Sequence, residues 1–126
     1  MSAPEFEGGC LCGSVRYRVV GEPLWAAFCH CASCRRATGA PVSAYAGFRT
    51  DQLTWMRGRP KFAATSEGVR RGFCADCGSH LTYEGARWPG EIHVHLGTLD
   101  QPERIEPTGH AFASERPPWL KLGDLD

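Results

Sequence analysis

No apolar run in the 126-residue chain approaches the ~18 residues that a membrane-spanning helix requires. Met1 to Gly9 also lacks a basic region followed by an apolar stretch, and it has no small-residue cleavage site. These absences predict a soluble, cytoplasmic protein with no membrane partner. Net charge is missing as well. Lys+Arg and Asp+Glu number 14 each, so no excess of positive charge draws the chain to nucleic acid or to an anionic surface. There is no internal repeat and no low-complexity tract. Room for long helices is also lacking: 15 Gly and 9 Pro fall in breaks such as Gly8-Gly9, Arg59-Pro60, Pro89-Gly90 and Pro117-Pro118.

Between those breaks the pattern alternates. Val15, Tyr17 and Val19 fall on one side of Arg16 and Arg18, and Ile92, Val94 and Leu96 on one side of His93 and His95. Both segments read as strands with one buried face. Further strands are expected at Leu24 to Phe28, Val42 to Phe48, Leu53 to Met56, Lys61 to Ala64, Val69 to Phe73 and His80 to Tyr83. The one expected helix is a short turn through Ala32 to Thr38, stopped by Gly39 and Pro41. The tail from Gln101 carries Ile105, Phe112, Trp119 and Leu120 and is expected to pack along the body. The chain therefore reads as a mainly β fold of short strands with one helical turn, a single domain over residues 1–126.

What is abundant is cysteine. Seven fall in three clusters: Cys10-Leu11-Cys12, Cys29-His30-Cys31-Ala32-Ser33-Cys34 and Cys74-Ala75-Asp76-Cys77. An odd number suits metal better than a disulfide framework. Four thiolates close a tetrahedral zinc site and three leave one position open. Residues two apart on a strand share a face, but both reach one ion only if the backbone curls, and Gly8, Gly9, Gly13 and Gly78 stand where that curl is needed. A Cys-x-Cys pair and a distant Cys-x-x-Cys-Gly pair would staple two remote strands. We therefore group Cys10, Cys12, Cys74 and Cys77 in a structural site. Cys29, Cys31 and Cys34, three sulfurs within six residues, form an open one.

Two other readings remain at this point. A histidine (His30, His80, His93, His95 or His110) could fill the fourth position and make both metals structural. Alternatively, the Cys-x-x-Cys pairs could be redox centres, although the strand-helix-strand setting of thioredoxin-like sites is not found.

With these motifs the chain resembles the glutathione-dependent formaldehyde-activating enzyme (GFA) family, also called centromere-protein-V-like. The resemblance rests on Gly9-Cys10-Leu11-Cys12-Gly13, Cys29-His30-Cys31-Ala32-Ser33-Cys34-Arg35, Phe73-Cys74-Ala75-Asp76-Cys77-Gly78-Ser79, Gly97-Thr98-Leu99-Asp100 and Pro118-Trp119, in the expected order. It implies a zinc-stabilised β-tent fold of short antiparallel strands. It also implies two zinc ions per chain, one structural on the first and third clusters and one catalytic on the middle cluster. The implied activity is that of a carbon-sulfur lyase, written as condensation of glutathione with formaldehyde to S-(hydroxymethyl)glutathione. The implied partner is a small thiol.

Zinc held by three thiolates is a modest Lewis acid but a good host for a fourth sulfur, and a metal-bound thiol is deprotonated. Arg35, which fits the family motif, and Arg36 follow Cys34 directly and are candidates for a substrate carboxylate. Trp25, Tyr45, Phe48 and Trp55 read as core or pocket wall. The competing function is a non-catalytic zinc module that binds protein or nucleic acid. It would fill the middle metal's fourth position, whereas an enzyme needs that position exchangeable.

Overall fold

The computed structural model describes residues 3–123. Ten strands form in chain order: β1 (Glu5–Gly9), β2 (Arg16–Val20), β3 (Trp25–Cys29), β4 (Ser43–Arg49), β5 (Leu53–Arg57), β6 (Lys61–Ser66), β7 (Val69–Phe73), β8 (His80–Gly85), β9 (Glu91–His95) and β10 (Gly109–Ala111). One helix, α1 (Ala32–Thr38), connects β3 to β4. It ends at Gly39, whose φ of 74° lets its N–H return to the Arg35 carbonyl. The expected helix and all eight expected strand regions are present. β1 and β10 were not expected.

The strands make a three-stranded sheet in the order β1-β2-β5 and a seven-stranded sheet in the order β10-β3-β4-β9-β8-β7-β6. The core lies between them. Tyr17 and Val19, with 0% exposure, alternate with half-buried Arg16 and Arg18, as the period-two pattern requires. They meet Ala46, Phe48, Ile92 and Val94 of the large sheet. The Gly97-Thr98-Leu99-Asp100 segment ties the two sheets together: Thr98 Oγ1 lies 2.7 Å from the Tyr17 hydroxyl, Leu99 bridges to Gly8, and the Asp100 N–H donates to the Glu7 carbonyl.

Three expectations are corrected. The pairing is antiparallel except between β10 and β3, which run parallel, with His110 beside Phe28. The tail returns along the edge of the sheet, and a parallel neighbour is what a long return connection allows. β9 is buried on both faces, not one: His93 is as buried as Ile92, and Leu96 lies in a 3-10 turn beyond the strand. The reason is that the rings of Trp25, Tyr45, Tyr83 and Trp88 pack around His93 on the far face of the large sheet. Within the tail, Ile105 joins the core as expected, whereas Trp119 is exposed.

That far face carries the chemistry. On β4, Ala46 and Phe48 enter the core, so Tyr45 and Gly47 face away from it. On β9, Ile92 and Val94 enter the core, so His93 and His95 face away. Register then sets Tyr45 beside His95, His93 beside Tyr83 and Tyr83 beside Arg71.

Candidate functional site

Two centres emerge. In the first, the sulfurs of Cys10, Cys12, Cys74 and Cys77 all lie within 4.8 Å of one another. Cys10 to Cys12 is 3.7 Å and Cys12 to Cys74 is 3.8 Å. Bonds of about 2.3 Å to a tetrahedral zinc would set sulfurs about 3.8 Å apart, so this donor set fits that ion. Each half is a tight knuckle. The Val15 N–H donates to Cys10 Sγ and the Cys77 N–H to Cys74 Sγ, while Gly13 and Gly78 take φ of 82° and 80° to close the turns. Ser79 links the knuckles by accepting from the Leu11 N–H at 3.0 Å.

The second centre lies on the far face of the large sheet, under α1. Cys29, at the end of β3, and Cys34, on the first turns of α1, bring their sulfurs to 3.8 Å, which also matches the edge of a zinc tetrahedron. Cys31 stands at the N-terminal boundary of α1 and lines the same cavity. Among the described residues only the four-cysteine set has all its sulfurs within ligand reach of one another. The middle trio has two together and the third alongside.

An arginine that sequence reading did not single out completes this centre. Arg71, only 2% exposed, points both Nη1 and Nη2 at Cys34 Sγ, each 3.7 Å away. The Tyr45 hydroxyl donates to the same sulfur at 3.4 Å. A buried guanidinium demands a counter-charge. Among the described residues no carboxylate pairs with Arg71, so the thiolate supplies that charge. The Cys34 thiol is accordingly drawn down to about 5, first by the hydrogen bond with Cys29 and then by Tyr45 and Arg71. Cys29 moves the opposite way, because two adjacent thiolates resist ionising together. Burial, reinforced by the Cys34 charge, keeps Tyr45 protonated.

The three cysteines open into a cavity of about 200 Å³. Trp25 forms one wall. It packs so closely on Gly47 that a Cβ there would lie 2.4 Å from the indole, and its Nε1 donates to Glu91 at 3.1 Å. Glu91 also meets His93 Nε2 at 3.0 Å. His93 is the one histidine lining this cavity among the described residues, and burial pushes its pKa down.

The other histidines lie elsewhere. His30, fully buried, stacks on His110 at 5.4 Å with Nε2 to Nδ1 at 3.2 Å. His80 and His95 line a separate hollow beyond Ser43, with His95 held at about 3 by burial and thus neutral. Arg35 lines a third hollow beside Arg116 and Trp119, and Arg36 is exposed. The arginines on the thiol cavity are Arg71 and Arg87. A sequence signal for Arg71 existed: it shares the period-two face of Val69 and Phe73 on β7, where a lone arginine is unusual. Of the aromatic candidates, Trp25 and Tyr45 are cavity wall, while Phe48 and Trp55 belong to the core.

Comparison with known proteins places the chain in a family. The family model of the glutathione-dependent formaldehyde-activating enzymes matches residues 5–115. A Halomonas elongata protein provisionally named a glutathione-dependent formaldehyde-activating enzyme is 28% identical over 129 residues, covering 92% of this chain and 80% of its own. An uncharacterized lyase of Schizosaccharomyces pombe is 30% identical over 95 residues, covering 74% of this chain and 69% of its own. A crystal structure of a Rhodobacter sphaeroides protein superposes with a TM-score of 0.67 at 25% identity, covering 83% of this chain and 99% of that one. The chain thus belongs to the glutathione-dependent formaldehyde-activating enzyme family.

Proposed function

We propose that this protein, acting as one domain in a reducing cytoplasm, is a zinc-dependent carbon-sulfur lyase resembling S-(hydroxymethyl)glutathione synthase. Its reaction would join a small thiol, glutathione in the first instance, to formaldehyde. The observation that carries the proposal is the buried Arg71 guanidinium aimed at a Cys34 thiolate on the floor of a cavity that Cys29 and Cys31 also line. Cys29, Cys31 and Cys34 would hold one zinc, and Cys10, Cys12, Cys74 and Cys77 a second, structural one. When bound, the first supplies a soft Lewis-acidic host that keeps an incoming thiol ionised.

In the reaction the glutathione sulfur forms a bond to the formaldehyde carbon, the C=O π pair moves onto oxygen, and the proton that leaves the thiol ends on that oxygen. Nothing is oxidised or reduced. The chain's own residues prepare the surroundings. Arg71 offsets the negative charge that three thiolates carry, and the Tyr45 O–H holds Cys34 Sγ in place. The aromatic walls offer little to hold water, which would otherwise compete for formaldehyde as its hydrate. Glu91 fixes the orientation of His93, leaving that imidazole on the cavity wall as a group that could carry the proton. A carboxylate of glutathione outside the cavity would meet Arg87 rather than Arg35, since Arg87 lines this cavity.

The test is exchange NMR between carbon-13 formaldehyde hydrate and its glutathione adduct. The zinc-loaded protein should accelerate exchange in proportion to its concentration, and Cys31→Ser should abolish the acceleration. An exchange rate equal to that of buffer would refute the proposal. The non-catalytic alternative would then be favoured if one zinc, spectroscopically inert to glutathione after cobalt substitution, were all that the chain held.

A further inference from the structure

The cavity above the thiols is built for more than a one-carbon aldehyde. Its volume of about 200 Å³ has room for several waters, whereas formaldehyde contributes two heavy atoms. It is also smaller than the roughly 300–1,000 Å³ of pockets that enclose drug-sized ligands, so a whole tripeptide would not fit inside. A group of intermediate size is left. The lining is aromatic: Trp25, Phe28, Tyr45, Tyr83, Trp88 and Phe112.

These rings are held open as a preformed box. Tyr83 stacks on His93 at 5.4 Å and 27°, and Trp88 meets both edge-on, at 5.9 Å from Tyr83 and 5.3 Å from His93. Trp25 is fixed by Gly47 and Glu91. Phe112 has a left-handed backbone, φ 56°, the one non-glycine residue with positive φ among those described. The strain holds a partly exposed phenyl ring against the cavity, and such strain persists where surrounding structure enforces it, commonly at binding sites.

Four of the polar groups on the walls are already engaged, while Ser33, Ser66 and Arg87, which also line the cavity, are exposed. The Trp25 indole and His93 both bond Glu91, and Tyr45 and Arg71 both bond Cys34. Amides or carboxylates inside would find few partners and would lose their water. Cationic guests are disfavoured too. The Arg71 guanidinium lies 4.9 Å from the Tyr83 ring centroid, and that of Arg87 lies 5.2 Å and 5.7 Å from those of Trp88 and Phe112. Uncharged, apolar and flat is the chemistry that remains.

We infer that the adduct this site handles carries an apolar, aryl-sized group seated in the aromatic box. The inference rests on the thiol-aldehyde reading above. The group could enter on either half of the adduct, as an arylalkyl aldehyde combining with glutathione or as an arylalkyl thiol combining with formaldehyde. In both, one S–C bond forms and the thiol proton passes to the carbonyl oxygen, exactly as for the simplest pair.

The experiment compares three arms on the zinc-loaded protein by exchange NMR: glutathione with formaldehyde, glutathione with phenylacetaldehyde, and benzyl mercaptan with formaldehyde. The expected result is a kcat/KM at least about tenfold higher for one of the two aryl arms than for the first, since hydrophobic pockets discriminate about 10- to 200-fold per methylene. The faster arm identifies the half that carries the group. Phe112→Ala, at a partly exposed position, should bring that ratio below about threefold with an unchanged melting temperature. Trp88→Ala, which also loses its edge-on contacts with Tyr83 and His93, should lower the ratio as well, with circular dichroism verifying that the fold persists. Acceleration of the first arm with neither aryl arm exceeding it tenfold would overturn this inference and leave the parent reading standing. Acceleration of no arm would overturn both.

Discussion

Replacing Arg71 by Met removes the one cation in contact with Cys34 among the described residues while keeping much of the side-chain volume. Both terminal nitrogens lie 3.7 Å from the sulfur, and Cys34 is 4% exposed, so water is poorly placed to take their role. The native thiol is held at about 5 rather than 9.0, by Cys29 first and then by Tyr45 and Arg71. A hydrogen bond to a charged group contributes about 1.5–3 kcal/mol. At about 1.36 kcal/mol per unit this is roughly one to two pKa units.

The sign follows from linkage. A thiol whose folded pKa is depressed stabilises the fold fully above its ordinary 9.0, and the contribution fades as pH falls toward about 5. Arg71→Met raises the folded value, so that window shrinks from its acid end. In metal-free protein, the pH midpoint for iodoacetamide labelling of Cys34, resolved by mass spectrometry, should rise by roughly one to two units. Circular dichroism at each pH verifies that the fold persists. Arg71→Lys, which restores a cation without the two-pronged geometry, should fall between. A midpoint unmoved by Arg71→Met would refute the assignment of Arg71 as the thiolate's counter-ion.

Further expectations concern metal and stability. Cys77→Ser removes a ligand of the four-sulfur cage and should lower the melting temperature by roughly 10 °C or more, because metal binding is coupled to folding; an unaltered transition would rule out that cage as a structural metal site. Cys31→Ser should halve the zinc content measured by atomic emission and leave the circular dichroism spectrum intact, whereas an unchanged zinc count would remove Cys31 from the ligand set. His95 is buried neutral with its pKa lowered to about 3, so stability is full above an unfolded value near 6.5 and declines as pH drops toward 3. At pH 5 that decline amounts to about 2 kcal/mol, and His95→Asn should abolish it in urea denaturation at pH 5 compared with pH 7. Equal pH slopes for the two proteins would show that His95 is not the acid-sensitive group.

Much of the architecture was legible beforehand because its signals are local. Gly39 terminates α1 through a positive φ, and the alternation of Tyr17 and Val19 with Arg16 and Arg18 needs only a strand of period two. The short strands β1 and β10 were not, since Glu5–Gly9 and Gly109–Ala111 have weak patterns of their own and exist through their partners β2 and β3. His93 was expected on a solvent face and is buried. Alternation tells which side chains share a face but not what covers it, and here the rings of Trp25, Tyr45, Tyr83 and Trp88 do.

By itself the sequence determined that seven sulfurs fall in three local clusters, because covalent neighbours two or three residues apart must travel together and glycines beside them permit the curl. That the first and third clusters meet, 62 residues apart, was decided by the fold. Only tertiary structure decided which arginine meets the thiols. Arg35 adjoins Cys34 in the chain yet faces another hollow, while Arg71, 37 residues away, reaches the sulfur across the sheet. Ligand spacing is a matter of bond lengths along one segment. The charge, walls and volume around those ligands come from strand register and helix placement, which bring together residues that no local pattern connects.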